Sequence, residues 1–221
     1  MVVPDRGTYA MSPGMHAPIR LALALAILIP CLALAQSHGP LGIDNKGSFD
    51  DSGIYKHSTL QAIEGLTFFS IVGSGLWQGG ESRFGKSSWQ SIDSMALGAV
   101  ASTGLKYVFT RSRPSQTDDP NQWFQGKGHY SFPSGEVTFM SAAVTPYVLE
   151  YGRENPWVYA LELLPAYTAA QRVKTQAHWQ TDVLAGWALG FGTGYLAHEQ
   201  NSPWILRVMP GGVQVGLKTR F

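Results

Sequence analysis

The stretch 177–198, AHWQTDVLAGWALGFGTGYLAH, decides what kind of fold this chain has. From 183 to 197 it runs for 15 residues without a charged residue, His, Asn or Gln, and Gly186, Gly190 and Gly194 recur every four residues. That repeat keeps the three glycines on one helical face, where missing side chains let a second helix come close, in lipid or in a tight soluble bundle. Fifteen residues fall short of the roughly 20 needed to span a bilayer. The next longest runs of this kind, 65–77 and 137–149, are 13 residues each. Four further segments, 60–77, 89–111, 134–151 and 156–173, read as helices, and each carries an acidic residue: Glu64, Asp93, Glu150 and Glu162. Pro146 and Pro165 are expected to kink or end the turns they occupy. The prediction is an all-α fold: a helical bundle of about five to six helices, not an integral membrane protein. After Pro210-Gly211-Gly212, residues Val213, Val215, Leu217, Thr219 and Phe221 alternate with polar residues or glycine, which predicts a short C-terminal β-strand or hairpin packed on the bundle.

Composition narrows the function. The 221 residues hold 16 Lys+Arg against 15 Asp+Glu, and aromatics make up 12%. Such a chain is neither disordered nor basic enough to bind nucleic acid. Arg20 precedes an apolar run at 21–35, LALALAILIPCLALA, which closes on Ala33-Leu34-Ala35. A basic flank, a short apolar stretch and an A-x-A end read as a secretory signal peptide. Its removal would take away Cys31, the single cysteine, and with it any disulfide, thiolate metal site or cysteine nucleophile. The expected organisation is a signal peptide at 1–35, an extended and loosely packed lead-in at 36–56, a helical domain at 57–202 and a strand or hairpin tail at 203–221. The expected location is the periplasm, with membrane association left open.

Three polar clusters interrupt the apolar helices. In the first, Lys106 and Arg113 stand seven residues apart at a helix end, two turns and one face. Two such cations can hold a multiply charged anion, or simply complement the helix C-terminus. In the second, Pro133-Ser134-Gly135-Glu136 opens a helix whose first N–H groups form an anion site, or an ordinary N-cap. In the third, Arg172 precedes His178 and Asp182, spaced i and i+4. A carboxylate so placed can bond one imidazole nitrogen and leave the other for a substrate, or the pair can merely stabilise a helix. No other His or thiolate lies at ligand spacing, so a metal site is not expected.

Taken together and in order, Lys106-x6-Arg113-Pro114, Pro133-Ser134-Gly135 and Arg172-x5-His178-x3-Asp182 resemble the three-part signature of the type 2 phosphatidic acid phosphatase and vanadium haloperoxidase superfamily. The resemblance implies a metal-independent phosphatase. His178 would attack phosphorus to form a phosphohistidine and Asp182 would orient it. Lys106, Arg113, Arg172, Ser134 and Gly135 would hold the phosphate oxygens. It also implies vanadate as a phosphate mimic or, in a haloperoxidase, as the cofactor.

The sequence departs from that pattern twice. Gln171 stands where Ser is common, and Glu136 stands where the family has the His that protonates the leaving oxygen. Three readings follow for Glu136. It acts as the acid, its pKa raised by burial and a neighbouring phosphate; another donor such as His129 acts; or the protein binds phosphate, or a phospholipid headgroup, without turnover. The substrate is a phosphorylated small molecule or lipid, a phosphomonoester or a pyrophosphate. Trp123, Phe124, Tyr130 and Phe132 are candidates for an apolar wall beside the site, with peripheral membrane contact a further option.

Overall fold

The computed structural model describes residues 38–199 and the backbone of 204–209 and 212–217. The leader at 1–35 and the turn at 210–211 lie outside the described residues. The helices are α1 (His57–Gln78), α2 (Arg83–Phe109), α3 (Gly135–Tyr151), α4 (Leu163–Lys174) and α5 (Gln180–Glu199), with 3-10 turns at Pro40–Gly42, Gly53–Tyr55 and Pro156–Glu162. The fold is all-α. Strands β1 (Trp204–Met209) and β2 (Gly212–Leu217) pair antiparallel, Trp204 opposite Leu217 and Met209 opposite Gly212.

The pairing of α3 with α5 is the axis of the bundle, and the glycine repeat makes it. A Cβ on Gly186 would stand 2.5 Å from the Ser134 carbonyl oxygen, one on Gly194 2.5 Å from Thr145 Cβ, and one on Gly190 would collide with the Thr138 carbonyl. Close approach of two backbones therefore fixes the register of α5 on α3. On the other side of α3, Ala142, Ala143 and Tyr147 pack with Met95 of α2 and Ile71 of α1. Small hydroxyls in this interface are satisfied: Ser91 donates to the Ala143 carbonyl at 2.8 Å, and Ser88 meets the Tyr147 hydroxyl at 2.8 Å.

Three expectations about the elements need correction. Helix α3 passes through Pro146 to Tyr151. A proline removes one intrahelical bond, but residues 140–148 are all buried and their packing holds the helix together. The segment read as one helix from Pro156 is a 3-10 stretch followed by α4. Pro165 lies in the first turn of α4, where no intrahelical donor is required. The lead-in is not loose throughout, because Asp44 is buried, accepting from Thr181 N at 2.8 Å and Thr181 Oγ1 at 2.7 Å. Among the described residues no helix is long and apolar enough to cross a membrane.

Candidate active site

Two charged clusters flank His178, and the inner one sets its position. Arg111 is fully buried and donates to Asp182 Oδ1 and Asp44 Oδ2, both at 2.6 Å, and to the Pro120 carbonyl. Its guanidinium lies 4.3 Å over the Trp123 ring. The other oxygen of Asp182 accepts from Ser131 Oγ at 2.5 Å and Trp179 N at 2.8 Å. Burial pushes the Asp182 carboxyl up, but Arg111, His178 and Ser131 outweigh it and hold it well below the usual carboxylate range.

The imidazole is oriented by a backbone group. His178 Nδ1 lies 2.6 Å from the Ser131 carbonyl oxygen, whereas Asp182 Oδ2 is 3.8 Å away. A carbonyl can only accept, so Nδ1 carries the hydrogen and Nε2 is the free nitrogen of the neutral ring. The expected direct bond from Asp182 to His178 is thus replaced by an indirect one. Asp182 holds Ser131 and the turn at Trp179, and Ser131 holds the ring. The reason is that α5 starts at Gln180, so His178 lies in the turn before it and the i, i+4 helical geometry does not apply.

The outer cluster contains the three predicted cations. Lys106, in the last turn of α2, donates to the Pro133 carbonyl at 2.6 Å and the Tyr130 carbonyl at 3.1 Å. Arg113 donates to the Ala177 carbonyl at 3.0 Å and to the same Tyr130 carbonyl at 3.4 Å. They do not share a helical face as the spacing suggested, since α2 ends at Phe109 and Thr110 turns the chain at φ 33°. The loop carbonyl of Tyr130 brings them together instead. Lys106 lies against the start of α3, where a Cβ on Gly135 would make an ordinary contact with Lys106 Cε at 3.6 Å. Arg172 comes from the last turn of α4.

Glu136 sits where these groups converge. Its Oε1 lies 3.2 Å from Arg172 NH2 and its Oε2 lies 3.5 Å from His178 Nε2. Ser134 Oγ, Arg172 Nε and His178 Nε2 are buried and, among the described residues, have no hydrogen-bond partner. Burial would raise the Glu136 carboxyl, but His178, in its protonated form, and Arg172 outweigh it and hold it well below the usual range. In the free protein Glu136 is therefore a carboxylate, in contrast to the raised pKa expected for it beside a phosphate. Burial draws Lys106 down to about 8, opposed by the Glu136 charge. His129, the other donor considered, has Nδ1 2.9 Å from Ser112 Oγ.

The cluster opens into a cavity of about 690 Å³ between α1, α2 and α3. Gly65, Phe68, Ala99 and Phe139 supply its apolar lining, while Lys106, Arg113 and Glu136 form its charged end. The aromatic wall expected from the long loop is elsewhere. Trp123 and Phe132 are core residues, edge to face with ring centroids 5.1 Å apart, and Phe124 is exposed. A smaller cavity of about 230 Å³ touches Arg172 and is lined by Phe49, Asp51 and His57 among others. Among the described residues no group of three or more His, Cys, Asp or Glu is arranged to hold a metal.

Arg111, Ser131 and Asp44 were missed by the sequence reading. Arg111 stood inside the first cluster, and a buried Arg has no sequence signature apart from its partners. Ser131 acts through its backbone, which no residue type announces.

The family model described as "PAP2 superfamily" matches residues 88–205. A lipid A 1-phosphatase from Porphyromonas gingivalis is 31% identical over 140 residues, 62% of this chain and 29% of that protein. An undecaprenyl-diphosphatase from Sulfolobus acidocaldarius is 29% identical over 113 residues, 50% of this chain and 53% of that protein. The chain thus spans about half or less of the length of these curated relatives. No solved structure gives a significant match.

Proposed function

The chain belongs to the PAP2 superfamily, and from that membership and the site geometry we propose that it is a phosphatase that removes phosphate from a phosphorylated lipid through a phosphohistidine on His178. One observation carries the proposal. Arg172 and Nε2 of a positioned imidazole meet on one carboxylate at the start of α3, Lys106 and Arg113 line the same cavity, and three buried polar atoms there lack partners among the described residues. Buried polar groups without partners mark a place where a ligand completes the bonding, and this set suits a tetrahedral oxyanion.

Glu136 holds that place in the free protein, and the phosphate takes it by turning the carboxylate out towards the cavity. Arg172, Arg113 and Lys106 then bind the equatorial oxygens together with Ser134 Oγ and the N–H group of Gly135, the Ser134 N–H being held by the Asp182 carbonyl at 3.0 Å. In-line transfer to an imidazole demands positioning and charge neutralisation, which these groups supply without a metal. His178 Nε2 attacks phosphorus and the ester oxygen leaves. Water then cleaves the N–P bond. The Ser131 carbonyl, itself tied to Asp182 and Arg111, keeps Nε2 on line as the ring gains charge.

A lipid fits the rest of the site. Phe68 and Phe139 line the cavity beyond the cations, and outside it Leu66 and Phe69 of α1 and Val100, Tyr107 and Val108 of α2 are more than half exposed. Those residues suit contact with a bilayer surface, on which an exported enzyme would meet its substrate. Similarity to proteins named lipid A 1-phosphatase and undecaprenyl-diphosphatase points to the same substrate class.

The test is phosphate release by wild type and His178→Ala from lipid phosphomonoesters, a lipid pyrophosphate and soluble phosphoesters, with trapping of an acid-labile phosphoenzyme. Wild type is expected to prefer the lipids and to form the phosphoenzyme, with no release by the variant. Phosphate binding without turnover would instead make this a phosphate-binding protein.

A further inference from the structure

Glu136 carries its charge between Arg172 and His178 in the free protein, which leaves open the source of the leaving oxygen's proton. Helix α1 supplies a candidate that no motif contains. Gln61, Glu64, Gly65 and Phe68 are spaced i, i+3, i+4 and i+7, and together form one wall of the 690 Å³ cavity. Across the cavity stand Lys106 of α2, Gly135 and Glu136 of α3, and Arg113. One carboxyl oxygen of Glu64, Oε1, is buried and without a hydrogen-bond partner among the described residues.

The direction of attack places the leaving group on that side. His178 is 1% exposed and does not line the cavity, so its nitrogen approaches phosphorus from the floor of the site, behind Glu136. In-line displacement puts the leaving oxygen opposite the nucleophile, facing the open cavity that Glu64 walls. We propose that Glu64 is the proton donor to the leaving oxygen. This rests on the phosphohistidine reading above and assigns the role that the family's missing histidine leaves open.

The steps balance. The lone pair of His178 Nε2 forms the N–P bond. The P–O ester bond breaks, its electron pair stays on the leaving oxygen, and that oxygen takes the Glu64 proton. Water then attacks phosphorus and gives a proton to the Glu64 carboxylate, and the N–P electrons return to the imidazole. Glu64 thus starts and ends protonated.

Its surroundings suit that form. Burial pushes Glu64 up to about 7, the Glu136 charge adds to this, and Arg172 opposes it. The other titratable groups turned towards it are Tyr167 of α4 and, across the cavity, Lys106 and Arg113. A bound phosphate raises the Glu64 pKa further.

The experiment compares 4-nitrophenyl phosphate, whose leaving group needs little protonation, with an alkyl phosphate of similar size, whose leaving group needs it. In wild type, kcat/KM for the alkyl ester is expected to fall as pH rises through about 7, a limb absent with the nitrophenyl ester. Glu64→Gln is expected to lose about 10²–10⁴-fold on the alkyl ester and far less on the nitrophenyl ester, and to lose the limb. His57→Gln, in the smaller cavity, is expected to change neither. Equal losses on both esters, a limb that survives Glu64→Gln, or a limb removed by His57→Gln would overturn the assignment. The wild-type contrast between esters tests it even if the variant does not fold. Failure of the phosphohistidine reading looks different: His178→Ala would keep wild-type turnover, or wild type would have none.

Discussion

The charged clusters on either side of His178 are built from the same residue types to opposite ends. In the inner one, Arg111, Asp44 and Asp182 are fully buried and joined by bonds of 2.6 Å, with Ser131, Thr181 and the Trp179 N–H using the remaining lone pairs. In the outer one, Arg172 and Glu136 meet at 3.2 Å, His178 and Glu136 at 3.5 Å, and three buried polar atoms have no hydrogen-bond partner among the described residues. Completed bonding makes the inner cluster a scaffold. The outer cluster is left incomplete, so that an incoming anion can complete it. Charge alone does not separate structural from functional residues here, whereas saturation of hydrogen bonding does.

The sharpest way to break that contrast is to exchange cations for methionine on each side. Arg111→Met leaves two buried carboxylates unpaired, at a cost of about 3–5 kcal/mol. A chain of this size should then lose roughly 10 °C in melting temperature, read by calorimetry. Arg172→Met removes a cation from a cluster that is already short of bonds. Its melting temperature should stay within a few degrees while kcat/KM for phosphate release falls about 10²–10³-fold. Equal melting temperatures for the two variants would erase the distinction. Between these lies His178→Ala, expected to end turnover and phosphoenzyme formation while circular dichroism remains that of the wild type.

The same contrast explains how much the sequence revealed. Lys106, Arg113, Arg172 and His178 were legible because their spacing belongs to a recognisable signature, and the structure does bring them together. The geometry inferred from that spacing was wrong in two places. Helix ends fall at Phe109 and Gln180, so Arg113 and His178 are loop residues joined to their partners by the carbonyls of Tyr130 and Ser131. The fold was legible where a pattern had a steric cause, as in Gly186, Gly190 and Gly194 against α3. It was not legible at Asp44, whose burial depends on Arg111 and Thr181, 67 and 137 residues away.

A smaller effect sharpens the comparison further, because it tests whether the outer cluster is occupied by its own carboxylate. Glu136→Gln keeps the side chain's size and removes its charge. If phosphate must displace that charge, the variant should bind inorganic phosphate about tenfold more tightly, a change of about 1.4 kcal/mol, with the gain persisting into mildly acidic pH, because wild-type Glu136 stays ionised there. Weaker binding by the variant would mean that Glu136 assists the anion and that its seat between Arg172 and His178 is not the phosphate's. Lys106 sets the upper limit of the same measurement. It is a cation below about 8 and loses its proton above, so phosphate affinity should fall as pH rises through that value in wild type, and at lower pH in Glu136→Gln, which lacks the charge that supports the ammonium. Bound phosphate favours the charged amine, so the fall begins near the free protein's value and extends up to the higher pKa of the complex. In Lys106→Met that fall should vanish, leaving a lower affinity that no longer changes across the interval, measurable by isothermal titration.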